Sequence, residues 1–172
     1  MPVLDSGRPS TVPPKQPTEA DLALLGSAQS AELAVRDLYI SALTGGNFSD
    51  VQISVLELFR DHHTAYAQAL NGILGKASTN ERNESLVGQF EVQVKNSSTA
   101  LEALRSLENI LVATHTVIVG SLAGLDATNL MASILMTEAR HAAVFGSAPN
   151  LNVSIALDDV AESLVSPISG GG

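Results

Sequence analysis

Cysteine is absent from the 172-residue chain, which removes disulfides, thiolate metal sites, iron–sulfur clusters and cysteine nucleophiles together. Tryptophan is also absent and aromatic residues make up only 3%, so the core must be assembled mainly from Leu, Val, Ile and Ala. Such a core suits helix packing better than a sandwich, which draws on aromatic and β-branched residues. Basic residues are scarce: Lys and Arg number 9 against 18 Asp and Glu, for a net charge of −9. Phosphate binding needs clustered Lys and Arg, so neither nucleic acid nor an anionic membrane is an expected partner. The chain also lacks a run of about 20 apolar residues, the length needed to span a bilayer. Its most apolar stretch, 110–125, is broken by Thr114, His115, Thr116, Gly120 and Ser121 and reads as a buried helix. The N-terminus has no basic start followed by an apolar run, so the expectation is a cytoplasmic chain, or an exported one whose signal has been removed. Gly-x-Ser-x-Gly, P-loop and Gly-rich dinucleotide patterns are missing as well.

What is present is long helical periodicity. Residues 1–17 carry five prolines (Pro2, Pro9, Pro13, Pro14 and Pro17) among Ser, Gly and Thr, and read as a flexible Pro-rich arm. Thr18 followed by Glu19 and Asp21 signals a helix start, and Thr44-Gly45-Gly46 its end. Ser49-Asp50 opens a second helix that runs to about Gly75. A polar, broken link over 76–97 has room for a short helix near 85–94. Ser98 is the expected cap of a third long helix ending near Gly124, and Asp126 or Thr128 the start of a fourth that stops at Gly146. The pattern implies an all-α, antiparallel four-helix bundle over 18–146 with short extra helices. Residues 147–172 form a C-terminal extension, with a short amphipathic helix expected over 154–165 before a Ser/Gly tail. Asp158 and Asp159 belong to the first turn of that helix.

Residues three, four and seven apart share a helix face, and on that basis three carboxylates fall inside apolar stripes. Glu32 shares a face with Leu25, Ala28, Val35 and Tyr39; Glu108 with Leu104, Leu111 and His115; Glu138 with Met131, Ile134, His141 and Phe145. A buried lone carboxylate is costly unless it is paired, protonated or bound to a cation. Glu138 and His141 form a Glu-x-x-His pair whose spacing points both side chains into one groove. Fe(II), Mn(II) and Zn(II) accept that mixture of donors. The alternative is a metal-free bundle in which Glu32, Glu108, Glu138, His63 and His141 form a hydrogen-bonded polar core. His115 reads either as an outer partner of the carboxylates or as a satisfied core histidine. His62, one residue off the inward stripe, is placed at a helix boundary, and Arg60 and Asp61 face solvent or pair with a neighbour.

The segments Ala31-Glu32-Leu33-Ala34, Leu107-Glu108-Asn109 and especially 134–143, with Glu138-Ala139-Arg140-His141 at its centre, resemble the ferritin-like superfamily, in particular bacterial proteins with a ferritin-like domain. The resemblance covers about Thr18 to Gly146. It implies a carboxylate-bridged di-metal pattern, one Glu from each of two helices and Glu-x-x-His from each of the other two. Glu32, Glu108 and the Glu138/His141 pair match three of those contributions. The second helix departs from the pattern: where the resemblance implies Asp-His-Glu-x-x-His, the chain reads Asp61-His62-His63-Thr64-Ala65-Tyr66, so that His63 replaces the Glu and Tyr66 the His. A neutral His cannot supply the bridging charge of a Glu. The expected site is therefore a single ion held by Glu32, Glu108, Glu138 and His141, with His63 and Tyr66 as further members. The resemblance makes iron the first cofactor to consider, then manganese or zinc, and makes self-association into a homo-oligomer an expectation. A metal-free structural or interaction module is the competing function.

Overall fold

Helix 1 begins where its cap demands. In the computed structural model, which describes residues 12–147 and 161–166, Thr18 accepts from the backbone N–H of Asp21, and Asp21 returns the bond to the N–H of Thr18. This reciprocal capping satisfies two of the donors that a helix start leaves open. It launches α1 (Glu19–Gly45). Ser49 and Gln52 repeat the device at the start of α2 (Asp50–Leu74). Gly75, with φ +54°, ends α2 in a backbone region that disfavours side chains and leads into a 3-10 turn, Gly75–Ala77. A short α3 (Glu84–Val94) is capped by the Asn83 side chain on the N–H of Leu86. Two long helices follow, α4 (Ala100–Ser121) and α5 (Leu125–Gly146). No strand occurs among the described residues.

The long helices pair as hairpins, α1 with α2 and α4 with α5, while α3 lies against α1. Two apolar clusters establish the directions. One joins the end of α1 (Leu38, Tyr39) to the start of α2 (Leu56, Phe59), α3 (Phe90), the start of α4 (Leu104) and the end of α5 (Phe145). The other joins the start of α1 (Leu25), the ends of α2 and α4 (Leu70, Ile118) and the start of α5 (Met131, Ile134). So α1 and α5 run one way and α2 and α4 the other, and the link containing α3 travels the length of the bundle. Each fully buried leucine in these clusters contributes roughly 1.5–3 kcal/mol.

The α4–α5 turn is held from outside. Asp21, already part of the α1 cap, accepts from the N–H groups of Ala123 and Gly124 at 2.9 Å each. Pro14 and Lys15 accept from the N–H groups of Leu125 and Asp126 at 2.9 and 3.0 Å. The first backbone donors of α5 are thus satisfied by the segment preceding α1 and by Asp21. The first eleven residues of the expected arm lie outside the described residues. Most of the helix expected over 154–165, with Asp158 and Asp159, does too; its described end, 161–166, is not helical, and Leu164 donates its N–H to Thr114 Oγ1 at 3.0 Å.

Candidate metal centre

Between the two apolar clusters lies a polar layer, fed by all four long helices. Glu32 of α1, His63 of α2, Glu108 and His115 of α4, and Glu138 of α5 have no exposed surface, and His141 of α5 retains 2%. Ligand atoms of His63, Glu108, Glu138 and His141 all lie within 4.8 Å of one another. The stripes read from sequence therefore converge, and the i, i+3 pair on α5 turns both of its side chains inward.

His63 sits among the carboxylates. Its Nδ1 is 2.8 Å from Glu32 Oε2 and 3.6 Å from Glu138 Oε1, while its Nε2 is 3.2 Å from Glu108 Oε1. Both nitrogens face carboxyl oxygens, an arrangement that an imidazolium satisfies by donating to each side. Burial alone would lower its pKa, but Glu108 and Glu32 outweigh that and raise it to about 9. Glu108 is the hub: it accepts from the Tyr39 hydroxyl, from His63 and, at 3.3 Å, from His141 Nδ1. Burial works to raise the Glu108 pKa, yet the imidazolium of His63 and the hydrogen bonds from Glu138, His141 and His63 hold it well below the usual carboxylate range. Glu138 is opposite in character. Burial, then the charges of Glu108 and Glu32, raise its pKa well above the usual range, which favours the neutral acid. As a carboxylate it has no donor to accept from among the described residues. Tyr39 stays a phenol, its pKa raised well above the usual value by burial and by Glu108.

Tyr66 lies at the side of this group. It is half-buried against the cluster that contains Leu70 and Met131, its ring centre 6.2 Å from that of His63, with its pKa raised to about 12 chiefly by burial. Glu32 touches the group through His63. Arg60 and Asp61 pair with each other at 2.8 Å at the surface.

One contributor was not singled out from the stripe pattern. His62 Nδ1 is 2.9 Å from His141 Nε2, with the two rings 4° from coplanar and their centroids 5.2 Å apart. The nitrogens therefore lie between the ring centres, edge to edge. Phe59 covers a face of His141, with centroids 3.8 Å apart. His141 is thus fixed on three sides: carboxylates at Nδ1, His62 at Nε2 and an aromatic ring on its face. Burial, His141 and His63 lower the His62 pKa, which keeps that ring a neutral partner. The sequence signal for it is the His62-His63 doublet, since neighbouring residues on a helix between two others face different partners.

This donor set fits a cation. Two buried carboxyls and two imidazoles within one coordination distance match the preferences of borderline divalent metals. Glu138 lacks any donor for its charged form, so a cation gives that charge a partner. Among the described residues no helix is long and apolar enough to cross a membrane. No curated protein and no solved structure matches the chain. The family model described as the ferritin-like domain matches residues 20–150, the span that supplies every helix of the polar layer, and the chain belongs to that family.

Proposed function

We propose that this protein binds a divalent metal ion, iron foremost, in the centre of its bundle, and that it acts in Fe(II) oxidation or in reducing oxygen species there. The observation that carries the reading is the buried group of His63, Glu108, Glu138 and His141, from three different helices, with its ligand atoms within 4.8 Å of one another. Glu108, Glu138 and His141 are the ligands, His63 a further donor from α2, and Glu32 the neighbouring carboxylate. A bound iron ion would supply one-electron redox chemistry. The chain's own part is to hold donors in place through Tyr39, His62 and Phe59 and to exclude bulk water with the apolar clusters on either side. Self-association of the bundle belongs to the same reading and is checked by light scattering.

The test is titration of metal-free protein with Fe(II), Mn(II) and Zn(II), with elemental analysis of protein purified without added metal. Replacing Glu138 and His141 together with Ala should abolish binding; unchanged binding would defeat the assignment. A second reading is favoured by the bridging His63, which already neutralises part of the carboxylate charge: a metal-free bundle serving as a structural or interaction module. It requires a melting temperature indifferent to chelator and to added metal, because a ligand that binds only the folded state must raise it.

A further inference from the structure

A group this deeply buried has to be reached from outside. Of the four histidines in the chain, His63 and His115 have no exposed surface and His141 retains 2%. The three glutamates of the layer are sealed as well, and apolar clusters lie on both sides of them along the bundle. On the α1–α4 side Thr114 is buried, and Leu164 donates its N–H to the Thr114 hydroxyl. The α2–α5 side is different. There His62 is partly exposed and at the same time in direct contact with His141.

The two ring nitrogens of His62 have different surroundings. Nδ1 lies 2.9 Å from His141 Nε2, whereas Nε2 has no hydrogen-bond partner among the described residues. With Glu108 a carboxylate, its 3.3 Å contact with His141 Nδ1 is a hydrogen bond when that nitrogen carries the proton. The lone pair of the neutral His141 ring then lies on Nε2, where it accepts from Nδ1 of His62. That pair of tautomers leaves the His62 lone pair on Nε2, the nitrogen without a partner. A bare imidazole nitrogen is a donor that borderline divalent cations accept.

From this nitrogen the interior set is one side chain away. His141 lies directly beyond His62, and its Nδ1 is 3.3 Å from Glu108 and 3.8 Å from Glu138. Taking an ion out of water is costly, and an imidazole at the mouth lets protein donors replace water one after another. The net charge of −9 favours cations at the surface where that exchange begins.

We propose that His62 is the entry ligand of the bundle: a divalent cation of borderline hardness, such as Co(II), Zn(II) or Fe(II), first meets His62 Nε2 at the α2–α5 seam and passes inward from there to Glu108, Glu138 and His141. The proposal rests on the metal-binding reading above, since it describes how that site fills. It gives His62 a kinetic role, separate from its hold on His141.

The experiment is stopped-flow absorption of Co(II) uptake by the metal-free full chain, with release followed separately by mixing the loaded protein with chelator. His62→Asn keeps a group that can bond His141 Nε2 but lacks the imidazole lone pair. It should reach the wild-type stoichiometry with an association rate about tenfold lower. Carbethoxylation of the metal-free wild type by diethyl pyrocarbonate, mapped to His62 by mass spectrometry, should slow uptake likewise and decides the question even if the variant fails to fold. Unchanged association in either protein, with any loss of affinity confined to faster release, would reduce His62 to a positioning residue for His141. That result overturns the entry role and leaves the metal-binding reading standing. Absence of Co(II) binding by wild type would overturn both.

Discussion

Raising the pH should weaken the metal-free protein well before any lysine titrates. His63 is the reason. Its folded-state pKa is raised to about 9 from 6.5, because Glu32 and Glu108 hold its proton in a site that burial alone would make hostile. A raised pKa on a base means that folding takes up a proton which the unfolded chain releases. The resulting stabilisation is complete below about pH 6.5 and disappears as pH rises through about 9. A shift of about 2.5 pH units corresponds to about 3 kcal/mol at 1.36 kcal/mol each. Glu138 acts in the same direction, since its pKa is also raised, and the neutral acid in the fold becomes harder to keep as pH climbs. Against a typical total of about 5–15 kcal/mol, that loss is large. Urea unfolding in excess chelator at pH 6, 7, 8 and 9 should show the midpoint falling steadily with little change in slope. Saturating Zn(II) should reverse the trend, because deprotonated donors bind the ion better. A flat or rising midpoint across this window in chelator would refute the protonated, carboxylate-bridging His63.

Further perturbations probe other parts of the same structure. His62→Ala removes the partner of His141 Nε2 and should lower Zn(II) affinity by about 10–100-fold; His62→Asn, which keeps an acceptor, should recover part of it, and unchanged affinity in the Ala variant would remove His62 from the site. Asp21→Ala takes away a helix cap and the acceptor for two turn N–H groups, at a cost of roughly 2–4 kcal/mol in urea unfolding. Burial works to raise the Asp21 pKa, but the N–H groups of Thr18, Ala123 and Gly124 bring it below the usual value; its contribution is therefore present above the usual carboxylate range and is lost as pH falls through the folded-state pKa. Gly124→Ala would place a Cβ 2.7 Å from the Gln16 carbonyl oxygen and 2.8 Å from the Pro17 Cα, backbone atoms that must move, and should cost roughly 1–3 kcal/mol. A melting temperature equal to wild type would show that the segment before α1 is not held against the turn.

How much of this could be read from the chain alone depends on whether the cause was local. The starts of α1 and α2 were legible because Thr18/Asp21 and Ser49/Gln52 satisfy their own donors within one turn. The start of α4 was not. Ser98, the natural candidate for a cap, bonds the Asn96 side chain instead, and Thr99 reaches back to the carbonyl of Gln93. Both side chains complete the end of α3, so α4 begins at Ala100 without a side-chain cap. At α5 the donors find Pro14, Lys15 and Asp21, about a hundred residues away, and no local signal announces such partners.

The same division runs through the site. Glu32, Glu108, Glu138 and His141 could be singled out because a carboxylate or imidazole inside an apolar stripe stands out by period alone, and the structure brings those stripes together. Which groups touch is a property of three-dimensional packing. His62 lies about 100° around α2 from His63, a displacement that marks a boundary residue on an isolated helix. Here that edge of α2 meets His141 of α5, so the boundary becomes a contact. Tyr66 shows the converse: a stripe position three residues from His63 stays half-buried at the margin, against the apolar cluster of Leu70 and Met131. Stripe membership identifies which polar groups enter the interior, and the pairing of helices decides their partners. A chain with His63 in place of an acid consequently reorganises its charge around an imidazolium while preserving the helical frame that delivers it.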